Sequence, residues 1–373
     1  MRSLLAVLLV MGCSAEPDRP SATIDTLPGG VIHVVNHAPA QWSDTTGWKI
    51  ELQGQKSFPF DSAGSLDAPN YPHRLANGEM VVLNQLPPFV QRYGADFTPL
   101  ARFGREGSGP GEFRNVALRA FGDSVVIFDE SRSAVILTDR EGNLISESLV
   151  PTFTDWMGDR DTRGLLPLLG RYGAGSGAGV MWWSFAERRA VDSIIGPPAP
   201  EERMWRSCSF VIPYQPSLDL APTPSGQAWF GTSDADRFVL TRHGRDTLRL
   251  VETPGRPRFP VSTTRVDEFF DPNGFLWKQC GAEMKRSDIP TTSPAWSSLT
   301  VDADGHLWVS RRAEWGRSYD VYDPDGLWLG EVPSPFTADE NVYWSGDDIL
   351  SVSSPGEQGY TLRRYRIVRK APN

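Results

Sequence analysis

Five histidines, three cysteines and a few acidic or glycine-rich turns are the chemical resources of this chain, and their spacing decides what each could do. His33 and His37 are the only close imidazole pair. On a strand they would share a face about 13 Å apart at ~3.3 Å per residue, too far for one zinc ion whose ligands sit near ~2 Å. His73, His243 and His306 are isolated, and the last two flank turn glycines, where a solvated position is expected. Asp302-x-Asp304-Gly305 and Asp323-x-Asp325-Gly326 begin like calcium loops. Calcium needs roughly six to eight oxygens, with ligands continuing past the glycine. Here Leu and Trp follow, so both stretches read as hairpin turns. Gly107-Ser-Gly-Pro-Gly111 has the glycine density of a phosphate cradle. Such cradles open onto a helix N-terminus or carry Gly-Lys-Ser/Thr. This loop runs instead into Glu112-Phe113 and a strand, which makes it a connector with Phe113 wedged between sheets. Ser176 lies in a glycine run, but Ala174 stands where the nucleophile elbow Gly-x-Ser-x-Gly requires glycine. Asp347-Asp348 reads as a solvated hairpin tip. These residues predict no catalytic set, no metal ligands and no bound cofactor.

The aromatic residues divide differently. Thirteen Trp, 18 Phe and 9 Tyr imply a largely aromatic core. Trp182, Trp229 and Trp308 recur after similar apolar runs, which fits packing between sheets. Trp156 and Trp315 sit beside Asp, Glu and Arg in expected loops and are the candidate recognition surface.

The elements that must position these residues are short strands. Thirty-five Gly and 31 Pro argue for many turns and few long helices. A turn glycine followed by an apolar strand recurs at Gly78, Gly122, Gly177, Gly226, Gly305 and Gly346. The spacings of 44, 55, 49, 79 and 41 residues lie mostly near the length of a four-stranded propeller blade. A second series of hairpins interleaves with the first, clearest at Tyr319-Asp-Val-Tyr-Asp-Pro-Asp-Gly-Leu-Trp328, where Pro presets one φ and Gly accepts a positive one. The expected fold is all-β: a six-bladed β-propeller of four-stranded antiparallel blades. The blades fall at about 63–105, 106–150, 151–213, 214–262, 291–335 and 336–370. The last has room for only three strands, and Val31-Ile-His-Val-Val35 is expected to complete it, since an open ring would expose a pairing edge. The long fourth gap should hold a short helical insertion at about 263–290, starting near Thr264, with Val266, Phe269 and Phe270 on one face.

Residues 1–12 read as an export signal. Arg2 is followed by an unbroken apolar run from Leu4 to Met11, too short to span a bilayer. The run ends in Val10-Met-Gly-Cys13, which resembles the lipobox of bacterial lipoproteins. That resemblance implies that Cys13 becomes the acylated first residue, and Ser14 after it points to the outer membrane, with the protein facing periplasm or exterior. Residues 13–28 then read as a polar tether, with the propeller from 29 to 373. In an oxidising compartment the remaining even pair, Cys208 and Cys280, suggests a disulfide; two buried free thiols are the alternative. The formal charge of −9, with no Lys/Arg run, makes nucleic acid a poor partner and anionic lipid repulsive.

The stretch Phe103-Gly-Arg-Glu-Gly-Ser-Gly-Pro-Gly-Glu-Phe113 through Asn143 resembles an NHL-type blade of bacterial six-bladed β-propeller lipoproteins. So does Ser298-Leu-Thr-Val-Asp-Ala-Asp-Gly-His-Leu-Trp-Val309. The resemblance spans roughly 30–370 and implies fold and export without implying an activity. The expected role is a lipid-anchored, monomeric binding or scaffold module for a small ligand, glycan or protein partner, touching the membrane through its anchor. The alternative is a lyase or lactonase with calcium or zinc in the central channel, held by residues from several blades.

Overall fold

The structure is a computed structural model that describes residues 21–42, 47–60, 65–150, 153–171, 178–206, 208–281, 283–313, 316–337, 339–353 and 359–369. Cys13, Ser176 and Trp315 lie outside these residues.

Runs such as Val125-Val-Ile-Phe128 are apolar at every position because a strand with a neighbour on each face buries both sets of side chains. Val125 and Ile127 pack back towards the preceding sheet, Val126 and Phe128 forwards to the next. Repeating that arrangement six times makes a ring. Its blades are antiparallel sheets beginning with the innermost strands Pro69–Arg74, Val116–Phe121, Phe153–Met157, Leu218–Pro222, Ser298–Val301 and Glu340–Ser345. We number them blades 1 to 6. Each of the six seams between neighbouring blades holds its own apolar core. The molecule is a six-bladed β-propeller.

The third blade is built differently from the sequence expectation. Its turn glycine is Gly164, with φ of +81°, and its second strand is Leu166–Arg171. The strand after Gly177 is the third, so Trp182 does not occupy the place of Trp229 and Trp308, although all three are fully buried. Pro167 hides the true second strand, because proline argues against a ladder position.

Ring closure also differs. The outer strand of blade 6 is Lys49–Phe58, paired antiparallel with Tyr360–Val368 from Lys49↔Val368 to Phe58↔Tyr360. Its polar sequence, mostly exposed, reads poorly as a strand, yet it pairs along all nine residues of Tyr360–Val368. Val31–Asn36 instead adds to blade 4, parallel to Asp246–Glu252, and Val34 enters the core between blades 4 and 5. Ala22–Leu27 pairs with it as a sixth strand, so the expected tether to residue 28 stops before Ala22. Between these strands Gln41 and Trp42 donate backbone N–H groups to Trp328 and Leu329 on the rim of blade 5. Trp42 lies over Gly330, where a Cβ would come within 2.6 Å of its ring.

The insertion falls where expected, as helices Thr263–Phe269 and Phe275–Cys280 and a single 3-10 turn at Arg286–Asp288. The first is capped by Ser262, whose hydroxyl accepts from the Arg265 N–H at 3.3 Å, two residues before the predicted cap. A hairpin from the connection between blades 3 and 4, Met204–Trp205 with Phe210–Val211, joins it. Cys208 and Cys280 are bonded, with Cα atoms 5.3 Å apart across 72 residues of chain. Trp205, Ile212, Cys280, Met284 and Ile289 form the small core of this cap.

Candidate functional site: the central channel

The innermost strands of all six blades face one channel of about 1130 Å³. Its walls are unlike on the two sides. Along the arc of blades 6, 1, 2 and 3 the channel is crossed by side chains. Arg119 of blade 2 pairs with Asp159 after the blade 3 strand at 2.7 Å and donates to the Trp344 carbonyl of blade 6 at 2.9 Å. The other Asp159 oxygen accepts the Gly346 N–H at 2.9 Å. Arg74 pairs with Asp348 at 2.6 Å. An aromatic group lies beside this ionic one. The Trp156 ring centroid is 5.2 Å from Tyr71 and 6.1 Å from Tyr343, the latter stacked nearly parallel at 12°. Tyr343 donates its hydroxyl to Asn70, and burial pushes its pKa up to about 12. His73 lies behind it, fully buried; burial first and the Arg119 charge second hold its pKa well below the usual imidazole range, so it is neutral.

The opposite wall, from blades 4 and 5, carries Asp219, Ser297, Ser298 and Thr300. Asp219 accepts from its own neighbour Leu220 N–H at 2.8 Å and from Leu299 N–H of blade 5 at 2.7 Å. Burial raises its pKa to about 6, against the opposing pull of those two N–H groups. The channel thus offers an aromatic face, fixed charges of both signs and a carboxyl that titrates near neutrality, which is the chemistry of a site for a polar ligand.

Trp156 stands on the innermost strand of blade 3, not in a loop, and is 36 % exposed, with that exposure inside the channel. Its expected companion Trp315 lies outside the described residues. The polar residues of the channel escaped sequence reading. A usable signal existed: Arg119 within Val116–Phe121 and Asp219 within Leu218–Pro222 are charges inside otherwise apolar strands, which mark a wall facing a lumen.

The other chemistry-bearing residues do not gather here. His33 bonds Glu252 and His37 bonds Thr23, both at 2.9 Å, on the outer edge of blade 4. His243 is exposed and pairs with Asp192 at 2.9 Å. His306, expected in solvent, lies edge-on against Trp48 at 4.5 Å. Asp302 spends its carboxylate on the Asp304 and His306 N–H groups and on Trp308 and Arg369, and Asp323 accepts from Leu327 N–H; both are turns. In the Gly107–Gly111 loop the Glu112 carboxylate accepts the Gly109 N–H at 3.0 Å and sits where a phosphate would. Phe113 is buried in the seam between blades 1 and 2, against Gly104. Among the described residues no group of three or more His, Cys, Asp or Glu side chains could hold a metal ion.

Ring and channel together define the class, a six-bladed propeller with a polar central channel. The chain is similar in fold to a presumed exported protein from Bacteroides fragilis NCTC 9343, at 12 % identity and a TM-score of 0.50, over 91 % of this chain and 100 % of that one. It also aligns with a DUF4221 family member from Bacteroides vulgatus at 11 % identity and a TM-score of 0.49, over 87 % and 99 % of the two chains. Neither a family model nor a curated protein sequence matches it. At such identities the likeness shows the fold alone.

Proposed function

We propose that this protein is an exported propeller, held in the bacterial envelope by acylation of Cys13, that binds a small polar ligand in its channel. The observation that carries the reading is the pairing of the Trp156 face with Asp219, Ser297 and Ser298 across one lumen. A saccharide suits that pairing: its C–H faces pack on an indole while its hydroxyls exchange hydrogen bonds with carboxylate and hydroxyl groups. The export signal and the lipobox-like Val10-Met-Gly-Cys13 support the location, and the NHL-like blades support kinship with propeller lipoproteins.

The test is a glycan array of neutral and anionic oligosaccharides probed with the wild type and with Trp156→Ala. Saturable binding that the variant loses supports the reading; binding indifferent to Trp156 and Asp219→Ala sinks it. Metal analysis tests the metal-dependent lyase or lactonase alternative. A stoichiometric, chelator-sensitive ion in the purified protein would favour that alternative. Cys13→Ser should release the protein from the membrane fraction, and unchanged retention counts against the anchor.

A further inference from the structure

Among the described residues the disulfide-bonded cap carries several apolar side chains that stay exposed. Phe275, at the first turn of its helix, is 73 % exposed, the most of any large apolar residue among those described as exposed. Met204, Phe210 and Val211 on the partner hairpin are 39, 37 and 38 % exposed. A folded protein rarely presents several such groups on one small unit without a partner for them. The Cys208–Cys280 bond makes hairpin and helix one body, so these side chains move together.

The path of the N-terminus says what that partner is. Ala22 pairs with Asn36, and Val35 with Glu252, so Ala22 lies level with Thr253. Two strand spacings, about 10 Å, separate Ala22 from the point where the chain leaves blade 4 for the insertion. Eight residues lie between Cys13 and Ala22. Fully extended, they reach at most about 32 Å. An acyl group on Cys13 therefore holds the bilayer close to blade 4, the blade whose two connections build the cap. Charge agrees. The chain as a whole is −9, whereas the cap segments 200–216 and 261–290 are nearly neutral, with six basic and seven acidic residues. The ring is repelled by anionic headgroups and the cap only weakly. The exposed apolar strand with Leu144, Ile145 and Leu149 belongs to blade 2, two blades round the ring from the tether.

We infer that the cap is a membrane-docking surface: Phe275, Met204, Phe210 and Val211 rest in the interface of the bilayer that holds the lipid anchor, and the propeller sits with blade 4 against the membrane. The inference rests on the acylation of Cys13. Interfacial insertion of apolar side chains beside one lipid chain supplies the second contact that stable anchoring requires.

Hydrogen exchange of the acylated full chain tests it, on vesicles of phosphatidylethanolamine with a minor fraction of phosphatidylglycerol and again in detergent. On vesicles, amides of 204–212 and 263–280 exchange roughly tenfold more slowly, while those of blades 1 and 2 do not change. A double variant, Val211→Ser with Phe275→Ser, loses that protection with its melting temperature kept. Cap amides that exchange alike in both settings, in protein that still floats with the vesicles, overturn docking and leave the anchor standing. Cap protection that survives the double variant also overturns it. Protection without vesicles that grows with protein concentration assigns the patch to a second copy and overturns the lipid assignment. Protection of the cap in Cys13→Ser at high vesicle concentration supports docking even where the anchor reading fails.

Discussion

The ring and the cap solve the same problem by opposite means. Each blade buries both faces of its central strands in two seams, and six seams close on themselves. No blade is stable because of one bond; each is stable because it has neighbours. The cap has a single small core around Trp205, Met284 and Ile289, with one face open, and a disulfide supplies what its packing lacks. Repetition tolerates weak copies such as blade 3, whereas the cap depends on two named cysteines.

Perturbations of each part should therefore differ in reach. The largest effect belongs to ring closure. Removing residues 21–58 strips Tyr360–Val368 of its outer partner, and no soluble monomer is expected by size-exclusion chromatography. A folded monomer would show that the ring closes without the outer strand of blade 6. Next comes Phe58→Ala. Phe58 is stacked on Tyr360 at 5.1 Å and packed on Tyr93 at 5.3 Å, so it ties blade 6 to blade 1. A loss of about 3–5 kcal/mol in urea unfolding is expected, in one cooperative transition. Cys208→Ser with Cys280→Ser removes a link whose 72-residue loop encloses blade 4; chain entropy values the full loop at about 4 kcal/mol, and the cap loses less than that because blade 4 stays folded. That loss should appear as fast exchange confined to 204–212 and 263–289, with the ring's melting little moved. A matching collapse of the ring would end the distinction between the two parts.

A smaller effect is set by pH. Asp219 titrates near 6 in the folded protein against an ordinary value of 3.8. The folded state binds the extra proton between those values, so stability falls as pH rises through about 4 to 6 and stays lower above. Two units correspond to roughly 2–3 kcal/mol, and partial opening to the channel trims it towards the lower figure. Urea midpoints measured from pH 4 to 8 should show this slope in the wild type and a flatter one in Asp219→Asn. The smallest effect is expected from Phe275→Ser, within ±0.5 kcal/mol in the absence of lipid, because its side chain is mostly in solvent.

What could be read from the sequence follows the same division. Turn chemistry such as Asp139–Asn143 and Asp302–His306 is local, so the repeat and five of the six blades' turn glycines are legible; Gly78, Gly122, Gly226, Gly305 and Gly346 all have positive φ. The insertion is legible because Pro and Gly bracket a helical face. Closure is not, because an outer strand exposed on both sides has no apolar alternation to betray it: Lys49–Phe58 buries only Ile50 and Phe58. The channel is illegible for a related reason. Arg119, Asp159, Trp156 and Tyr343 come from three separate blades, 2, 3 and 6, and only the closed ring brings them together.

The run from Ala22 to Phe58 crosses the outsides of blades 4, 5 and 6 in turn, like a strap. Its residues all precede their partners in the chain. Asp246–Glu252 trails its strap partner by more than 200 residues and Tyr360–Val368 trails Lys49–Phe58 by about 300. Pairings so distant in sequence form late, after the entropy of closing the long loop has been met. The strap therefore waits with nothing to bind while the later blades form, and a hydrophilic strand survives that wait better than a sticky one. The polarity that hid Lys49–Phe58 from sequence reading is what keeps it unattached until the sixth blade arrives.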